Sequence, residues 1–133
     1  VRAINAGSYN LAVSLHCDSS DNPDACGAHV CHHRTYHKNG AFTDSVQGKA
    51  LASAIAGPLY KLLPGRADPV QARPDRKKKL SGLQVLRATR PPAVLCECSF
   101  ITNANDAEMM KNRPELIAQA IGDGILDYID NGH

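Results

Sequence analysis

Glu97 interrupts an otherwise apolar run, Val94-Leu95-Cys96-Glu97-Cys98-Ser99-Phe100-Ile101, that follows Pro91-Pro92. Prolines cannot donate to a sheet ladder and commonly stand just before a strand, and a run apolar on both faces is the pattern of a parallel strand covered by helices. A carboxylate inside such a strand loses hydration, so it persists where a cation or hydrogen-bond donor meets it or where chemistry needs a base. From position alone, structural ion pairing and catalysis are evenly matched. His16 closes a second short apolar run, Leu11-Ala12-Val13-Ser14-Leu15, before the turn-rich Asp18-Ser19-Ser20-Asp21-Asn22-Pro23. Ligands of α/β sheets bind at the carboxyl ends of strands, so His16 and Glu97 are candidates to face one another. An imidazole there can hold zinc, and a glutamate of raised pKa can take a proton from metal-bound water. A histidine satisfied by ordinary hydrogen bonds is the commoner occupant of a strand end.

Other constellations are weaker. Cys26, Cys31, His32, His33 and His37 offer enough donors for a structural zinc, but they crowd into one segment without a Cys-x-x-Cys pair. Ser14, His16 and Asp18 alternate along one strand, without the glycine-flanked elbow of a serine hydrolase. Five cysteines leave one over if the others pair, which argues against a disulfide scaffold. Cys96 and Cys98 share the strand face opposite Glu97 and suit core packing. The basic run Arg76-Lys77-Lys78-Lys79 reads as a solvated loop, with an anion-binding patch as the alternative.

The elements that must position these residues follow from the rest of the chain. Arg2 to Gly7 reads as a last helical turn closed by glycine. Gly27-Ala28-His29-Val30-Cys31 suggests a short edge strand followed by an exposed loop to Phe42. Thr43, Asp44 or Ser45 can cap a helix with Leu51, Ile55, Leu59 and Leu62 at helical spacing, kinked at Pro58 and stopped by Pro64-Gly65. Leu83 to Arg87 reads as a brief strand or extended segment, Asn105 with Glu108 as a capping box, and Pro114 as the start of a last helix. Ile117, Ile121, Ile125 and Ile129 form that helix's core stripe. The fold class is α/β, a mainly parallel twisted sheet flanked by helices on both faces.

With 133 residues, 43% hydrophobic and 21% charged, the chain suits a single globular domain. A net charge of +2 and an aromatic share of 5% give no footprint for nucleic acid. No run approaches the roughly 20 apolar residues of a membrane span.

Ser14-Leu15-His16-Cys17-Asp18, Gly27-Ala28-His29-Val30, Ser45 with Leu51-Ala52, Leu86-Arg87 before Pro92-Ala93-Val94-Leu95, and above all Glu97-Cys98-Ser99-Phe100-Ile101-Thr102-Asn103 resemble the zinc-dependent N-acetylmuramoyl-L-alanine amidases. The segment from Ile117 to Tyr128 is similar to that family's closing helix, so the likeness runs through nearly the whole chain. The resemblance implies Zn2+ as cofactor, His16 as a zinc ligand and Glu97 as the catalytic glutamate. It implies cleavage of the amide between N-acetylmuramic acid and the first L-alanine of peptidoglycan. The partner would be a muramyl peptide, and the setting the cell wall, the periplasm or the exterior, or a host wall attacked by a phage lysin. Asp18 stands where the family usually has Asn, and Ser99 where it usually has Gly. The family's His-Gly-Gly motif and the Glu that follows, which supply two further ligands, do not occur in residues 1–133. The expectation is that this chain is the carboxyl-terminal portion of one catalytic domain, with a first strand and helix upstream of Val1. A catalytically incomplete peptidoglycan-binding domain of the same fold is the alternative. A metal or redox protein built on Cys26 to His37 is the third reading.

Overall fold

The computed structural model describes residues 1–73 and 83–132. The elements run α1 (Arg2–Ala6), β1 (Ala12–Asp18), β2 (His29–Tyr36), β3 (Phe42–Asp44), α2 (Val46–Leu62), β4 (Val70–Arg73), α3 (Gln84–Arg87), β5 (Ala93–Phe100), α4 (Ala104–Asn112) and α5 (Pro114–Asp130). The basic run Arg76 to Lys79 lies outside the described residues.

The strand order is β1-β5-β2-β3, with β4 also on β2. β1 with β5 and β2 with β4 are parallel, whereas β5 with β2 and β2 with β3 are antiparallel. The α/β sheet flanked by helices is as expected, and it is mixed rather than purely parallel. The parallel pattern of β5 was legible because helices cover both of its faces, and that burial says nothing about the direction of its other neighbour.

The segment read as an edge strand and loop is in fact central. β2 carries β5 on one side and β4 on the other, its first four residues are buried, and its exposed second half carries the β3 hairpin. β1, expected to be buried, is only partly so, with Leu15 62% exposed, and among the described residues it pairs with β5 alone. β5 is buried along its length except at Glu97.

Helices α2 and α5 cover one face. Leu51, Ile55 and Leu59 are fully buried and meet Val30, Val94, Cys96, Ile117 and Ile121 in the main core. Each such aliphatic side chain contributes about 1.5–3 kcal/mol by leaving water. Cys96 and Cys98 belong to this core, as their shared face predicts. Ser45 caps α2 by accepting from the Gly48 amide at 3.1 Å, and Pro58 lies inside the helix. Pro114 starts α5, but Ile129 at the end of its stripe is 49% exposed. A four-residue step overshoots the 3.6-residue turn, so the stripe rotates out of the core along the helix.

On the other face, Leu86 of α3 packs with Cys31, Ala93 and Leu95. This stretch is a single helical turn where a strand or extended segment was expected. The α4 cap is Asn103, whose side chain accepts from the amides of Asn105 and Asp106, so the Asn105–Glu108 box does not form the cap. Asp106 is 5% exposed, and its Oδ2 accepts from the Gly27 amide at 2.7 Å and the Phe100 amide at 2.8 Å. One carboxylate thus ties the end of β5 to the turn that launches β2.

Candidate active site

Register decides which side chains share a face, because paired residues on neighbouring strands point the same way. His16 of β1 pairs with Glu97 of β5, and Glu97 pairs with His29 of β2. An imidazole, a carboxylate and a second imidazole therefore form one row across three strands, at the carboxyl ends of β1 and β5. The two residues singled out from the sequence are brought together. His29 was not singled out, since its partner lies 68 positions away; the signal was the alternation of His29, Cys31 and His33, which places all three on one face of β2.

Glu97 is half-buried, and its Oε2 has no hydrogen-bond partner among the described residues. Its pKa is raised, chiefly by burial and then by the charge of Asp18, against the opposing influence of His16 and Arg73. His16 is exposed, with Nε2 3.1 Å from Ser14 Oγ. The register slips between His16 and Asp18, and Asp18 Oδ2 lies 3.7 Å from His29 Nε2, next to the same row.

His29 is fully buried, and its pKa is pushed down to about 4, first by burial and then by the positive charges of Arg66 and Arg73. It is therefore neutral at pH 7. Arg73 approaches it with Nη2 3.3 Å from His29 Nε2, while Arg73 Nε donates to Cys31 Sγ at 3.2 Å. Since an arginine only donates, this contact makes Nε2 the acceptor and leaves the proton on Nδ1, a buried atom with no partner among the described residues.

The chemistry of these donors fits zinc in part. His16 can offer one imidazole at the open end of the row, and Glu97 next to it forms no ion pair among the described residues. Among the described residues no group of three or more His, Cys, Asp or Glu side chains is arranged to hold a metal ion. The His-rich segment does not supply one, because His32 and His33 point to opposite faces of β2.

A carboxylate of raised pKa stands between two imidazoles at the strand ends of an α/β sheet, an arrangement with the groups for acid–base chemistry. Comparison with known proteins narrows the class. Residues 1–127 match the family model described as N-acetylmuramoyl-L-alanine amidase. The chain is 31% identical over 121 residues to N-acetylmuramoyl-L-alanine amidase LytC of Bacillus subtilis, covering 90% of this chain and 21% of that protein. It is 31% identical over 120 residues to the probable cell wall amidase LytH of Staphylococcus aureus, covering 87% and 34% respectively. Among solved structures, the catalytic domain of the CD27L endolysin targeting Clostridia difficile superposes with a TM-score of 0.71 at 27% identity, covering 95% of this chain and 59% of that one. The CwlD amidase of Clostridioides difficile, at 24% identity and a TM-score of 0.76, shares the fold. The chain belongs to the N-acetylmuramoyl-L-alanine amidase family. It spans about a fifth to a third of the length of these curated relatives.

Proposed function

We propose that the intact protein hydrolyses the amide between N-acetylmuramic acid and the first L-alanine of the peptidoglycan stem peptide, in a zinc-dependent reaction in which Glu97 carries the proton. The observation that supports this most directly is the register pairing of His16 with Glu97. Burial and Asp18 raise the pKa of Glu97, which suits a carboxylate that takes a proton from the attacking water and returns it to the departing amine. Its Oε2 has no hydrogen-bond partner among the described residues. His16 would be one ligand of the zinc, and the remaining ligands would come from outside the described residues. Bound zinc would polarise the scissile carbonyl and lower the pKa of water. His29 stays neutral beside Glu97 and withholds a competing positive charge. The printed names of the relatives, cell wall amidase and endolysin, favour the cell wall as the place of action.

The test is digestion of purified walls by the intact protein, with new amino-terminal alanine detected by mass spectrometry. Release is expected, along with loss of release after removal of zinc by a chelator and its recovery on re-addition. Stoichiometric wall binding without any new amino termini would replace this reading with that of a binding domain.

A further inference from the structure

Arginines elsewhere on this sheet are paired: Arg34 grips Asp44 through two nitrogens, with Nη2 2.9 Å from Oδ2. Arg73 is not. It is half-buried, and the contacts of its guanidinium are the neutral imidazole of His29 and the thiol of Cys31, with no ion pair to a carboxylate among the described residues. These contacts use two of its five N–H donors.

The placement of this charge follows from the topology. Arg73 ends β4 and its register partner is His33, yet its guanidinium meets His29, four residues back along β2. The side chain lies along the sheet, over Cys31, toward the row that holds Glu97. Its charge reaches Glu97, and Arg66 adds a second positive charge around His29. The nearby acid is Asp18, whose Oδ2 is 3.7 Å from the same imidazole nitrogen. A partly desolvated guanidinium held by neutral groups is electrostatically incomplete, and a planar carboxylate is the ligand its fork fits best.

We infer that Arg73 is a specificity residue beside the His16–Glu97–His29 row, which binds a free carboxylate of the stem peptide and so favours acidic peptides over carboxamide-capped ones; the inference rests on the proposed amidase reading. Loss of one charge-assisted pair lowers affinity about tenfold or more.

The experiment measures binding, so it does not depend on turnover. In the intact protein carrying Glu97→Gln, which binds without cleaving, calorimetry compares a muramyl peptide with a free carboxylate on its second residue and the same peptide capped there as a carboxamide. The acid is expected to bind about tenfold more tightly or better, and Arg73→Gln should erase that preference by weakening the acid alone. Arg73→Lys, which keeps the charge but not the fork, should retain part of it. Arg113→Gln, which breaks an exposed pair with Glu115, should leave it intact. Equal affinity for both peptides in the parent would overturn the inference, as would an equal loss for both in Arg73→Gln and Arg73→Lys. Failure to cleave walls, with the binding preference intact, would instead count against the amidase reading.

Discussion

His29 and Glu97 are register partners on adjacent antiparallel strands, and each carries a buried polar atom, Nδ1 and Oε2, that finds no hydrogen-bond partner among the described residues. One is a donor and the other an acceptor. Buried polar atoms are rarely left without partners in a native protein.

Replacement of Glu97 follows from this. Glu97→Gln keeps the shape and removes proton transfer, so wall cleavage by the intact protein should fall by about 10²–10⁴. Folding should be unchanged or slightly improved, because a desolvated charge is removed. Release of amino-terminal alanine at the parent rate by a folded variant would show that Glu97 does not carry the proton.

His29 makes stability depend on pH in a definite direction. Its folded pKa is near 4 against an ordinary imidazole value of 6.5, so the unfolded chain takes up the proton first as pH falls. Stability contributed by the neutral imidazole is complete above about pH 6.5, declines as pH drops toward 4, and changes no further below that. The loss amounts to at most about 3 kcal/mol. Thermal melts between pH 7.5 and pH 4 should show a steeper decline for the parent than for His29→Gln. Parallel pH profiles would mean that the imidazole is protonated in the folded state.

Asp106 holds two buried backbone amides with a single oxygen, at Gly27 and Phe100. Asp106→Ala leaves both unsatisfied at the junction of β5, α4 and the β2 turn. Urea unfolding should register a loss of about 2–4 kcal/mol. Hydrogen exchange should quicken at the Gly27 and Phe100 amides more than in the α2–α5 core.

The sequence disclosed what depends on local pattern. β5 was readable from its unbroken apolar run, α2 from Leu51, Ile55 and Leu59 with Ser45 before them, and α5 from Pro114 and its isoleucines. Resemblance then implied roles for His16 and Glu97, where position alone left Glu97 even and favoured an ordinary histidine at 16. What stayed hidden is set by tertiary pairing. β2 is central because β5 and β4 flank it, although His32, His33 and Arg34 make it look like a loop. The direction of β2 against β5 has no local signature. Arg73 and His29 are distant in sequence, and the length of an arginine side chain, not strand order, brings them together.

Two glycines of the same helix should respond to alanine in opposite ways. A Cβ at Gly124 of α5 would lie 2.5 Å from Ile55 Cα and 2.7 Å from Ala54 O in α2, so the helices approach through backbone that cannot give way locally. Gly124→Ala should push α5 off α2 and destabilise the fold by about 1–3 kcal/mol. At Gly122, one half-turn earlier, a Cβ would meet nothing within 4 Å. There alanine only reduces the freedom of the unfolded chain and favours the helix, so Gly122→Ala should stabilise by about 0.5–1 kcal/mol. Chemical denaturation of the two variants side by side checks both signs. Because α5 closes over Val94 and Cys96 on the back of β5, Gly124→Ala should also weaken wall cleavage at temperatures where Gly122→Ala does not.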